Sequence, residues 1–137
     1  MSRSDTSEKK RGTILHFGAD RVVLLLRAWN LNQMGYRVLN VSDAAEAVKL
    51  ATRRRVDAVV LDLDRNHAEV ALVATAIKRC RSQVPTILLA EETAALPRAH
   101  ELADALVPKR DDLGMLITAL ENLLATRTAQ PSKGPEL

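Results

Sequence analysis

The chain has 137 residues, of which 47% are hydrophobic and 27% charged, a balance typical of one soluble globular domain. Aromatic residues make up only 2%, which excludes a stacking surface for single-stranded nucleic acid and predicts an aliphatic core. The net charge of +3 is not accompanied by a nucleic-acid recognition motif, so we expect no nucleic-acid partner. No apolar stretch approaches the ~20 residues that span a bilayer, so we expect no membrane partner. The first residues lack the apolar region of a secretory signal, so we expect a cytoplasmic protein.

In chain order, short apolar runs alternate five times with helical patterns. The expected elements are a strand at 13–17, a helix at 22–34, a strand at 36–41, a helix at 42–55, a strand at 57–63, a helix at 67–81, a strand at 86–90, a helix at 97–103, a strand at 104–108 and a helix at 112–126. They predict a folded domain over residues 13–126, with a flexible basic leader at 1–12 and a flexible tail at 127–137.

Capping residues support two of these helices. Asp20 precedes the first helix and Gly35 supplies its left-handed stop. Ser42, with Glu46 nearby, predicts the N-cap of the second helix.

This alternation favours an α/β fold with helices on both faces of a parallel sheet. Right-handed crossovers make the doubly wound, flavodoxin-like strand order 2-1-3-4-5 the simplest arrangement. In such sheets ligands bind at the carboxyl ends of the strands.

Two carboxylates stand at one of these ends. The run DAVVLDLD at 57–64 predicts a strand buried on both faces that ends in Asp62, with Asp64 two residues beyond. Asp62 either takes part in chemistry at the open end of the sheet or marks where the strand meets water.

Several segments resemble the receiver domains of response regulators, proteins of bacterial two-component signalling. They are ILHFGAD, MGYRVLNVSDAAEAVKLATRRRVDAVVLDLD, VPTILLAE and ADALVPKRD, within a resemblance from about Ile14 to Leu124. The resemblance implies that Asp62 stands where the family's aspartate accepts a phosphoryl group from a histidine kinase. It also implies that Lys109 stands where a lysine contacts the phosphoryl oxygens, and that the family holds Mg²⁺ with acidic residues.

Other positions depart from the family pattern. Its acidic pair aligns with Gly18 and Ala19, which offer no carboxylate to a metal. Asp20 is the next acid, and we expect it to cap the helix instead of reaching inward. The switch hydroxyl aligns with Ala90 and the switch aromatic with Leu106.

We therefore predict a stand-alone, degenerate receiver (a pseudo-receiver) that is not an enzyme and needs no cofactor. It would act by phosphorylation-independent protein binding, with Asp62 paired to Lys109. One alternative is a genuine phosphoacceptor at Asp62 with a weakened Mg²⁺ site at Asp62 and Asp64. A second alternative is a flavodoxin-like small-molecule binder, for which we expect an apolar pocket between the first and third strand ends. The three histidines fit no zinc motif and are expected to be structural or exposed.

The first helix is apolar over more than one face. We expect one stripe to face the sheet, formed by Leu24, Ala28, Leu31 and Met34. Val22, Leu25 and Trp29 then form a second stripe that either binds a protein partner or widens the core, with Trp29 flat along the sheet edge. The resemblance implies a histidine kinase, phosphotransfer protein or output protein as the partner, and leaves a homodimer open.

Overall fold

The structure, a computed structural model, describes residues 11–91, 99–109 and 113–129. Its strands are β1 (Gly12–Phe17), β2 (Tyr36–Val41), β3 (Ala58–Asp62), β4 (Thr86–Ala90) and β5 (Ala105–Pro108). Its helices are α1 (Arg21–Gln33), α2 (Ala44–Arg53), α3 (His67–Cys80), α4 (Ala99–Leu102) and α5 (Leu113–Ala129). The predicted order of elements is confirmed, with most bounds shifted by one or two residues. Residues 97 and 98 of the predicted fourth helix lie outside the described residues.

The strands form one parallel sheet in the order β2-β1-β3-β4-β5, which confirms the predicted topology. Strand β3 lies at the centre, and all five of its residues are buried. A parallel sheet covered on both faces needs apolar strands of this kind. Its last residue, Asp62, pairs in register with Leu89 of β4.

The core consists of two aliphatic layers, one on each face of the sheet. Helices α2 and α3 cover one face, and helices α1 and α5 cover the other. Because side chains alternate along a strand, His16, Asn40 and Asp62 fall on the same face as Ile14, Val38 and Val60, towards α1 and α5. Three polar residues therefore share the face that α1 covers.

Local signals fixed the ends of α1, as predicted. Asp20 Oδ1 accepts hydrogen bonds from the backbone N–H groups of Val22 and Val23, at 3.0 and 3.2 Å. Gly35 follows the helix with φ of 100°, a conformation that favours glycine. The prediction for α2 was wrong by one residue, because Asp43 and not Ser42 is the N-cap. The Asp43 side chain lies three residues before Glu46 and accepts its backbone N–H at 2.9 Å.

Residues 1–10 of the predicted leader and 130–137 of the predicted tail lie outside the described residues, but the structure shifts both boundaries of the folded domain. Arg11 belongs to the folded domain and not to a flexible leader: its Nη2 lies 2.6 Å from Glu121 Oε2, and its guanidinium stands 5.1 Å from the centre of the Tyr36 ring. Gly12 already belongs to β1. At the other end α5 continues to Ala129, three residues past the predicted end at 126. Within the described part of the chain, no helix combines the length and apolar character needed to cross a membrane.

Candidate functional site

Asp62 ends β3 at the carboxyl edge of the sheet, with only 5% of its surface exposed. Each of its carboxylate oxygens contacts a different cation. Lys109 Nζ lies 2.7 Å from Oδ1, and Arg27 Nη1 lies 2.7 Å from Oδ2. Charged pairs at this distance in a partly dry site are strong hydrogen bonds as well as ion pairs. The structure thus brings Lys109 to Asp62, as the sequence predicted, and adds a second cation.

Lys109 is held by its backbone as well as by its charge. It follows β5, where its N–H donates to the Ala90 carbonyl at 2.8 Å. Its ammonium also donates to the Leu63 carbonyl at 3.0 Å. These contacts fix the lysine across the ends of β3, β4 and β5.

Arg27 approaches Asp62 from α1 and is supported by a buried histidine. Arg27 Nη1 lies 3.1 Å from His16 Nε2, and His16 Nδ1 lies 2.8 Å from Asn40 Oδ1. A guanidinium only donates, so Nε2 accepts and the proton of the neutral ring is on Nδ1, from which it is donated to Asn40. Asn40, His16 and Arg27 therefore form a hydrogen-bonded chain that ends at Asp62.

The histidine in this chain is uncharged near neutral pH. Burial lowers the pKa of His16 to about 4, with the Asn40 hydrogen bond acting in the opposite direction and the nearby Arg27 charge lowering it further. Because His16 is neutral, the charged groups of the cluster are the cations Arg27 and Lys109 and the anion Asp62. The cluster of these four residues thus carries a net charge of +1.

The residues present do not fit Mg²⁺. Gly18 and Ala19 provide no carboxylate, and the Arg27 cation occupies the Oδ2 side of Asp62. Among the described residues, no group of three or more potential ligands from histidine, cysteine, aspartate and glutamate is close enough to hold a metal. Mg²⁺ prefers an octahedral set of oxygen ligands, and positions 18 and 19 contribute no side-chain oxygen to such a set.

Lack of space for a side chain also favours glycine at position 18. A Cβ there would lie 2.9 Å from both Asp62 Cβ and Leu24 Cδ2, closer than real Cβ atoms approach. The backbone just after β1 passes so close to Asp62 that any side chain at position 18 would force a shift. Ala19, by contrast, is exposed.

Asp64, the second predicted metal ligand, is exposed and is not part of the cluster around Asp62. Its backbone N–H donates to Asn66 Oδ1 at 2.8 Å. Asn66 is buried, and its Nδ2 donates to the Asp62 carbonyl at 3.4 Å. The turn after β3 is therefore organised by the amide of Asn66.

Both predicted switch positions are apolar parts of the core. Ala90 is buried at the end of β4, and Leu106 of β5 packs partly buried against the layer beneath α2 and α3. Neither offers a hydroxyl or an aromatic ring.

The sequence reasoning missed Arg27, Asn40 and the role of His16. A signal was present: Arg27 lies three residues after Leu24 and four before Leu31, on the edge of the stripe that faces the sheet. If a charge on that edge turns inward it requires an acidic partner, and Asp62 is a buried acid at that end of the sheet.

The apolar side chains on the outer face of α1 are exposed. Val22, Leu25 and Trp29 are all more than 60% exposed, and Leu26 joins them. Leu24, Ala28 and Leu31 face the sheet as predicted, but the prediction for Met34 was wrong, because it is the exposed C-cap. We call Val22, Leu25, Leu26 and Trp29 the α1 surface.

Comparison with known proteins gives a consistent result, although no protein-family model matches the chain. The transcriptional regulatory protein PrrA of Mycobacterium leprae is 30% identical over 120 residues, which cover 85% of this chain and 52% of PrrA. The Mycobacterium tuberculosis protein is 29% identical over the same length and share of each chain. The chain thus spans about half the length of the curated relatives it matches.

Solved structures of response regulators superpose on the fold. TrrA from Thermotoga maritima, in complex with Mg²⁺ and BeF, has a TM-score of 0.73 at 22% identity, over 81% of this chain and 97% of TrrA. A CheY-like receiver domain from Methanospirillum hungatei has a TM-score of 0.77 at 17% identity, over 86% and 97%. The receiver domain of a Pseudomonas aeruginosa sensor histidine kinase, with magnesium in its active-site cleft, has a TM-score of 0.73 at 22% identity, over 83% and 98%. Taken together, the fold and the likeness to PrrA support the assignment of the chain as a receiver domain of the response-regulator type.

Proposed function

We propose that this receiver domain acts without phosphorylation, as a protein-binding module and not as an enzyme. One observation carries the proposal: both carboxylate oxygens of Asp62 lie 2.7 Å from a positioned cation, Lys109 on one side and Arg27 on the other. The domain would keep the acceptor position as a permanent ion-pair cluster that fixes the carboxyl edge of the sheet.

The chemistry of phosphoryl transfer supports this reading. A carboxylate acceptor attacks through a free lone pair while cations neutralise the equatorial oxygens of the phosphoryl group. Here the cations are bound to the attacking oxygens themselves, so phosphorylation of Asp62 would cost an existing ion pair. No carboxylate at position 18 or 19 is available to bring Mg²⁺ to the incoming group.

The apolar switch positions support it as well. A modification changes a protein only when it interacts differently with two conformations. With Ala90 and Leu106 packed in the core, no hydroxyl or ring at these positions would report a phosphoryl group.

The α1 surface is the proposed contact for the protein partner. Large exposed apolar residues grouped with a tryptophan are typical anchors of protein interfaces. The partner would be a histidine kinase, a phosphotransfer protein or an output protein of a two-component pathway in the cytoplasm.

A second candidate, a working phosphoacceptor, is favoured by one observation. Asp62 and Lys109 occupy the positions that the resemblance assigns to the acceptor aspartate and the lysine of receiver domains, and here they lie 2.7 Å apart at the strand ends. The related TrrA structure contains Mg²⁺ and BeF.

Phosphodonor labelling separates the two candidates. The purified chain is incubated with acetyl phosphate and excess Mg²⁺, and its intact mass is compared with that of Asp62→Asn. We expect no phosphoryl increment in either protein. A stoichiometric, Mg²⁺-dependent increment that Asp62→Asn abolishes would establish the phosphoacceptor instead.

A further inference from the structure

A cavity of about 260 Å³, open to solvent on the side of Leu26, adjoins the ion-pair cluster on the α1 side of the sheet. It lies between α1, the ends of β4 and β5, and α5. Its apolar walls are formed by Val23, Leu26, Leu89, Val107, Leu113 and Leu116. This is not the pocket between the first and third strand ends that the sequence suggested for a small-molecule binder.

Two cations line the same cavity. Arg27 and Lys109 both contribute to its surface, and their side chains are only 14% and 13% exposed. Among the lining residues that the structure describes, none is acidic, and Asn30 is the other polar residue. The net charge of +1 in the adjoining cluster therefore has no counterion among these described lining residues.

Hydrogen-bond donors remain on both cations. A guanidinium has five N–H groups and an ammonium three. Within the described part of the chain, Arg27 donates to His16 and Asp62 through Nη1, and Lys109 donates to Asp62 and Leu63. That leaves the N–H groups of Nε and Nη2 on Arg27 and one on Lys109 without a protein acceptor in those residues. Partly buried donors of this kind favour an anionic acceptor.

We propose that this cavity binds a small monoanion with an apolar body, such as a short-chain carboxylate. The carboxylate would accept from Arg27 and Lys109, and the alkyl part would lie against Val23, Leu89 and Leu116. A volume of about 260 Å³ is below that of drug-sized pockets, which restricts the ligand to a small molecule. The inference goes beyond the proposed function and does not depend on it, because an anion in the cavity leaves Asp62 unmodified.

Hexanoate is the probe for this site. The 137-residue chain, with its leucine and valine methyl groups labelled, is titrated by NMR at neutral pH and constant ionic strength, without Mg²⁺ or a phosphodonor. We expect saturable shifts at Leu89, Val107 and Leu116. Hexan-1-ol, hexylamine and acetate should each bind at least about tenfold more weakly than hexanoate. The alcohol and the amine lack the negative charge, and acetate lacks the apolar body.

Two matched substitutions on adjacent residues of α1 test the location. Val23→Phe fills the cavity, whereas Val22→Phe places the same ring on the outer face of the helix. We expect the first to weaken hexanoate binding by about tenfold or more and the second to leave it unchanged. Lys109→Met should weaken binding of hexanoate but not of hexan-1-ol, which gives a second measurement if Val23→Phe does not fold.

The inference is overturned if hexanoate produces no saturable methyl shifts. It is also overturned if acetate binds as tightly as hexanoate, or if the two phenylalanine variants bind alike. None of these results bears on phosphorylation, which the mass measurement on Asp62 decides separately.

Discussion

Arg27 Nη1 and Asp62 Oδ2 lie 2.7 Å apart, although 35 positions separate the two residues in the chain. The guanidinium belongs to helix α1, and the carboxylate belongs to the last residue of the central strand β3. This contact, together with Lys109 on the other oxygen, gives the carboxylate two cations supplied by the protein itself. Under the proposed function, these two cations take the place of a divalent metal at the carboxylate.

Replacing Arg27 with Met should destabilise the domain. Asp62 would keep Lys109 but lose a charged hydrogen bond in a nearly dry site, so we expect a loss of about 1–3 kcal/mol in the free energy of unfolding. Urea unfolding monitored by circular dichroism measures it.

Arg21→Met is the matched control, because Arg21 lies on the same helix and is exposed. Its effect should stay within about 0.5 kcal/mol. Equal losses in the two variants would mean that the Arg27–Asp62 pair contributes nothing specific.

Stability should fall on mild acidification because of His16. With its pKa lowered from 6.5 to about 4, the unfolded chain takes up a proton at His16 in this window while the folded chain does not. The unfolded state therefore binds more protons, and the free energy of unfolding falls as the pH drops from 6.5 to 4. The full contribution is about 3 kcal/mol.

The measurement is a series of urea denaturation curves between pH 7 and pH 4.5. His16→Phe should remove this part of the pH dependence, whereas His67→Gln, at an exposed position, should retain it. An unchanged slope in His16→Phe would assign the acid sensitivity to other groups.

Restoring an acid at position 18 should not restore a metal site. Gly18→Asp introduces a Cβ into a gap that Asp62 and Leu24 already fill, so we expect a loss of about 1–3 kcal/mol. Ala19→Asp, at an exposed position, should be tolerated. Thermal melts with and without Mg²⁺ check both variants, and a saturable Mg²⁺-dependent rise in Tm for Gly18→Asp would contradict the prediction.

The α1 surface should contribute to association and not to folding. Trp29 is 62% exposed, so Trp29→Glu should change the free energy of unfolding by less than about 0.5 kcal/mol. It should reduce any self-association seen by sedimentation velocity and weaken binding to a histidine kinase or phosphotransfer domain from the same cell. Leu72→Glu on α3 matches it in exposure and should leave association unchanged. Loss of folding in Trp29→Glu would place the ring in the core.

Much of the fold could be predicted because it depends on local patterns. The central strand reads as a continuous apolar run, and Asp20 and Gly35 mark the two ends of α1. The pairing of Lys109 with Asp62 was predicted from the resemblance to receiver domains, and the strand order agrees with it, since the ends of parallel strands share one edge.

The second cation was harder to predict, because it depends on how far a long side chain reaches from a helix across the sheet. Arg27 is near the border between the buried and exposed sides of α1, where a guanidinium can point either way. The side chains of His16, Asn40 and Asp62 lie on the same face of the sheet. His16 and Asn40 are neighbours only because the register of β1 with β2 pairs these two residues. The correction of the cap from Ser42 to Asp43 has a similar origin, since adjacent residues can both cap a helix.

Titration with beryllofluoride in the presence of Mg²⁺ tests the central claim most directly, since this complex mimics a phosphoryl group on an acceptor carboxylate. Fluorine NMR of the wild-type chain should show only free fluoride and beryllofluoride species, and the amide signals of Asp62 and Lys109 should not move. A bound fluorine signal that requires both Mg²⁺ and Asp62 would contradict the account, because it would mean that Arg27 and Lys109 release the carboxylate.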